Sequence, residues 1–125
     1  MQAPPEGRPA FTTTARDTST GPVIEIAGEL DLDSAPVLHA VLHRALTTSP
    51  PPAILVVDLA GVTFCDSTGL NALLRTRTEA QRKGVAFHLA RPTDIVARFP
   101  TITGTDQVFF IDQDVPATVP HTPAG

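Results

Sequence analysis

Between Phe64 and Leu70 the chain reads Cys65-Asp66-Ser67-Thr68-Gly69, which places a thiol, a carboxylate and two hydroxyls within four consecutive residues, followed by a glycine. An apolar run ends near Leu59 just before this stretch, and leucines at helical spacing begin just after it. The stretch is therefore a loop leading from a strand into a helix, a common place for function. Ser67 falls at or within the first helical turn. There the backbone N–H groups have no intrahelical acceptor and the helix dipole favours negative charge. A phosphoryl group on Ser67 is thus compatible with the fold. Gly69 lets another backbone approach closely. The plainer alternative is that Asp66 or Ser67 only caps the helix, a role that contributes about 1 kcal/mol.

Other constellations carry less chemistry. A serine hydrolase built on Ser67 would want Gly where Cys65 stands in a nucleophile elbow. The histidines are His39, His43, His88 and His121. His39 and His43 are spaced i, i+4 on one helix face, but no H-E-x-x-H pattern surrounds them, and both read as surface or half-buried side chains. His88 lies in an expected strand, facing an edge, and His121 in an expected tail. Arg75, Arg77, Arg82 and Lys83 surround Glu79 on one helix. They read as a solvated face with pairing such as Arg75–Glu79, part of which is available to an acidic partner surface. Cys65 reads as a small buried hydrophobe. No metal or cofactor site emerges.

The elements that hold the loop follow from periodicity. Phe11–Arg16 is Thr-rich and reads as a first strand, with a turn over Asp17–Gly21. Over Val23–Leu30, Ile24, Ile26, Gly28 and Leu30 share one face, and Glu25 and Glu29 lie on the other. Asp33 or Ser34 is a suitable N-cap, Pro36 fits the first turn, and Leu38, Val41, Leu42, Ala45 and Leu46 follow at helical spacing. Thr47–Pro52 ends that helix. Ala53–Leu59 is almost continuously apolar, as in a strand covered on both faces. The helix after the loop runs to about Lys83, and Gly84 stops it. Val85–Ala90 is a strand, Pro92 opens a short helix through Phe99, and Val108–Ile111 is a last strand. Strands separated by helices predict an α/β fold with a mixed sheet of four to five strands and helices mainly on one side.

A chain of 125 residues is one domain by length. Without Trp or Tyr and with six Phe, its core must be aliphatic. The net charge of −4 argues against nucleic-acid binding through phosphate contacts. The single cysteine cannot form an internal disulfide, which fits a reducing compartment. The N-terminus has no hydrophobic signal core, and no apolar run reaches the ~18 residues a membrane span needs. The expected setting is the cytoplasm, with no membrane and no nucleic-acid partner. Prolines cluster at both ends, so residues 1–9 and 116–125 read as flexible tails around a domain at 10–115.

Three segments, in order, resemble the STAS family. They are Ile26-Ala27-Gly28-Glu29-Leu30-Asp31, Val56-Val57-Asp58-Leu59-Ala60-Gly61-Val62 and Phe64-Cys65-Asp66-Ser67-Thr68-Gly69-Leu70. The third resembles the family's D-S-[ST]-G signature, and the resemblance extends over about residues 10–115. It implies a single STAS-like domain acting as an anti-sigma factor antagonist rather than an enzyme. Such a protein binds an anti-sigma factor with serine kinase activity and so releases the sigma factor. Phosphorylation ends the binding and a PP2C-type phosphatase restores it. The family's phosphorylated serine corresponds to Ser67, with Thr68, the second hydroxyl, as the secondary candidate for phosphorylation. The partner surface implied by the resemblance is Asp31, Asp66, Ser67, Thr68 and Gly69. Here Pro116 and Pro120 oppose the longer C-terminal helix usual in the family, so that helix is expected to be short or absent. The alternatives are a STAS scaffold module of a stress-signalling complex and, more remotely, the serine hydrolase.

Overall fold

The apolar run that begins at Ile54 forms the middle strand of a five-stranded sheet. The computed structural model describes residues 11–99 and 109–116. The strands are β1 (Thr12–Thr18), β2 (Gly21–Leu30), β3 (Ile54–Cys65), β4 (Ala86–Ala90) and β5 (Phe110–Asp112), and they lie in the sheet in that order. The helices are α1 (Ala35–Leu46), α2 (Ser67–Arg82) and the short α3 (Asp94–Ala97). β1 and β2 form an antiparallel hairpin, and every later pairing is parallel. The sheet is thus mixed, and the element order agrees with the pattern read from the sequence.

Both long helices pack on one face of this sheet. Leu38, Leu42 and Leu46 of α1 and Leu70, Leu73 and Ala80 of α2 meet Ile24, Ile26 and Leu30 of β2, Leu55, Val57 and Leu59 of β3, and Phe87 and Leu89 of β4. Full burial of one such leucine contributes about 1.5–3 kcal/mol, which outweighs anything a surface ion pair adds between the helices. On the opposite face Val23, Val56 and Ala90 form a small cluster with Ile54 and Val115. The charges there are paired. Asp58, 3% exposed, receives Arg91 Nε at 3.2 Å and a second bond from Nη2. This carboxylate raises the Arg91 guanidinium further above its ordinary range, first through the hydrogen bonds and then through its charge. Arg91 reaches it from a left-handed backbone conformation, φ 49°. His88 bonds Asp112 at 2.9 Å and stacks on Phe110. His88 therefore lies on an interior strand and points out of the sheet, not toward an edge.

Several boundaries differ from the sequence reading. β3 runs on to Cys65 instead of ending near Leu59. Register shifts in β2, between Glu25 and Ala27 and between Gly28 and Glu29, keep Gly61–Cys65 paired with Ala27–Leu30. Gly61 permits this, because a Cβ there would lie 2.8 Å from that of Ala27. The glycine and the polar residues around it masked the continuation. β1 extends to Thr18, α3 is shorter than Pro92–Phe99, and β5 begins at Phe110. The expected tail at 1–9, most of that at 116–125, His121, Val108 and any C-terminal helix beyond Pro116 lie outside the described residues.

Candidate functional site

Because β2 and β3 are parallel, their carboxyl ends share one edge of the sheet, and the loops that follow them are neighbours. Leu30 pairs with Cys65 at this edge, and the Asp66 N–H donates to the Leu30 carbonyl at 3.2 Å. Gly69 presses on the same residue. A Cβ at position 69 would stand 2.6 Å from Leu30 Cγ and would overlap the Leu30 carbonyl oxygen. The close approach expected of Gly69 is therefore made to the chain's own β2, and it seats the start of α2 against the end of that strand.

The two loops spend their polar groups differently. Asp66 has extended backbone and is the N-cap of α2, its Oδ1 accepting from the Gly69 N–H at 2.9 Å. That leaves Ser67 as the first helical residue, exposed, with no hydrogen bond from its hydroxyl among the described residues. Thr68 is half-buried beside Leu32 and Pro36. In the other loop the Asp31 carboxylate accepts from the N–H groups of Asp33 and Ser34 at 3.0 and 3.1 Å. Ser34 stands at the N-cap position of α1 but makes no side-chain cap. Its hydroxyl instead donates to the Glu29 carbonyl at 2.7 Å and accepts from the Asp31 N–H at 2.9 Å. Of the sequence candidates, Asp66, Ser67, Thr68 and Gly69 are thus contiguous at the start of α2, and Asp31 stands on the adjacent loop, shaping that turn.

Sequence reasoning missed the apolar flank of this edge. Leu32 is 69% exposed on the loop after β2, and Phe64 is 44% exposed near the end of β3. The available signal was an apolar residue between two aspartates, Asp31 and Asp33, where a turn would carry a polar one. Cys65 is buried, and burial followed by the Asp66 charge pushes its thiol up to about 11, against a small opposing effect of the Leu70 N–H. The thiol therefore stays protonated and unreactive at neutral pH. No histidine hydrogen-bonds Ser67 and no cluster of metal-ligating side chains occurs among the described residues. Nor is any described helix long and apolar enough to cross a membrane. Glu79 does not pair with Arg75 as the helix spacing suggested. It reaches across to α1 and binds His43 Nδ1 at 2.6 Å.

Comparison with known proteins bears on what this edge does. The chain is 30% identical over 100 residues, 80% of each protein, to the anti-sigma-F factor antagonist RsfB of Mycobacterium tuberculosis. It is 32% identical over 88 residues, 70% of this chain and 78% of the relative, to the anti-sigma-B factor antagonist of Bacillus subtilis. The crystal structure of an anti-sigma factor antagonist from Mycobacterium paratuberculosis superposes with a TM-score of 0.72 at 26% identity, covering 85% of this chain and 88% of that one. These relatives are named for a regulatory binding role and not for a reaction. A family model described as "Mlab, STAS domain" matches residues 13–112, and with that match the chain belongs to the STAS domain family.

Proposed function

We propose that this chain is an anti-sigma factor antagonist whose docking surface is the edge formed by the Asp31–Ser34 and Asp66–Gly69 loops. It binds an anti-sigma factor that is also a serine kinase, and the sigma factor is freed. Phosphorylation of Ser67 ends the binding, and a PP2C-type phosphatase resets it. The observation that carries this reading is the state of Ser67: exposed, at the first position of α2, its hydroxyl free because Asp66 already holds the cap. Exposed Leu32, which shares a cavity with Thr68, and exposed Phe64 near the end of β3 supply apolar area for a protein partner. The names of the relatives support the same role.

The charge arithmetic is sufficient. A phosphoserine adds about −1.5 to −2 charge at pH 7. A partner carboxylate about 5 Å away would be repelled by roughly 3 kcal/mol per unit charge pair at an effective dielectric of about 20. That corresponds to about a hundredfold in affinity. Within the fold the unpaired N–H groups and dipole of α2 offset the same charge, so modification undoes docking and leaves the domain folded.

The test is incubation of the chain with the serine-kinase anti-sigma factors of its own genome and ATP, followed by mass spectrometry. One phosphate on Ser67, absent in Ser67→Ala, is the expected result. Phosphate confined to other residues would refute the site. A scaffold module would instead elute from size exclusion as a large assembly.

A further inference from the structure

We infer that the groove between α1 and α2 is a second part of the docking surface and receives a carboxylate-bearing segment of the same protein partner. This rests on the anti-sigma factor reading above. Two adjoining cavities of about 270 and 420 Å³ lie between the helices and share His39 and Arg75. The first begins at Leu32 and Thr68, beside Ser67, and the second continues past Glu79 to Arg82. The groove is therefore continuous with the proposed interface.

Its charge selects the partner. The chain carries net charge −4 and thirteen Asp and Glu, yet Glu79 is the only acidic residue in α1 or α2. The same helices hold Arg44, Arg75, Arg77 and Arg82. Glu79 binds His43 at 2.6 Å and makes no ion pair with Arg75 or Arg82, and its single carboxylate leaves the two guanidinium groups that line the groove in surplus. Arg75 and Arg82 are exposed and have no ion-pair partner among the described residues. An acidic protein thus presents one cationic groove, and it does so next to the serine that is proposed to be modified. Opposite charges across an interface act mainly on the rate of encounter and on register. Carboxylates of the partner entering at Arg75 and Arg82 would steer the Asp66–Gly69 loop onto the partner's active site.

The experiment uses the full chain and the anti-sigma factor kinase found to modify Ser67. Arg75→Glu/Arg82→Glu is compared with wild type and with Arg98→Glu, an exposed arginine that lines neither cavity. The groove variant is expected to bind tenfold or more weakly, chiefly through slower association, and to lose most of the salt dependence of the wild-type rate. Circular dichroism and thermal melting confirm its fold. Wild-type affinity in the groove variant would overturn the groove while leaving Ser67 intact. An equal loss in Arg98→Glu would overturn it too, because net charge alone would then suffice. Absence of any kinase binding to the wild-type chain would remove both readings together.

Discussion

Ser34 and Ser67 occupy matching places, each one step after an aspartate and at the start of a helix that follows a parallel strand. Their chemistry is opposite. Ser34 is 6% exposed, and its hydroxyl links the Glu29 carbonyl to the Asp31 N–H, closing the first loop on itself. Ser67 is exposed and its hydroxyl makes no hydrogen bond among the described residues, because the preceding carboxylate faces inward to Gly69. One serine is spent on the fold and the other is left for a partner. The difference comes from where the neighbouring backbone lies, since both residues are of one type.

The sharpest way to separate them is binding. Ser67→Asp is expected to weaken the anti-sigma factor complex by up to about a hundredfold, with Ser67→Ala close to wild type, as read by calorimetry. Equal affinities for the two variants would break the charge mechanism. Stability should show the reverse ranking. Ser34→Ala removes the buried hydroxyl that links the Asp31 N–H to the Glu29 carbonyl and is expected to cost about 1–3 kcal/mol in urea unfolding. Ser67→Ala should stay within about 0.5 kcal/mol. If both serines proved equally dispensable, the assignment of Ser34 as the structural one would be wrong.

Gly69→Ala tests what seats the modifiable loop. In an ordinary helix this change stabilises by up to about 1 kcal/mol. Here the new Cβ would meet Leu30 Cγ at 2.6 Å and its carbonyl, so a loss of about 1–3 kcal/mol is expected. The smallest effect concerns Cys65. Folded, its thiol titrates at about 11, above the ordinary 9.0. The unfolded chain therefore releases the proton first as pH rises. The thiol's contribution is complete below about pH 9 and is lost as pH climbs through 11. With no Tyr and a single Lys in the chain, few other groups titrate in that window. The urea midpoint should fall between pH 8 and 10.5 more in wild type than in Cys65→Ala.

The sheet's two faces show where sequence reading stops. The helical face was legible, because Ile24, Ile26 and Leu30 alternate and Leu38, Leu42 and Leu46 recur every fourth residue. The open face was not. Asp58 sits inside an apolar run, and nothing nearby in the chain announces that Arg91, just past the end of β4, turns back from a left-handed conformation to bind it.

The order of strands and helices, the aliphatic core and the hydroxyl-bearing loop before α2 follow from the residue string alone, because periodicity, capping types and glycine act over a few neighbouring residues. Tertiary structure decided which serine is free, what Gly69 touches, that Glu79 joins α1 instead of Arg75, and that β3 continues to Cys65. Each of these depends on which distant atoms come within about 3 Å of a donor or a Cβ. Local propensity does not encode that distance, since it is set only when parallel strands and packed helices bring remote segments together.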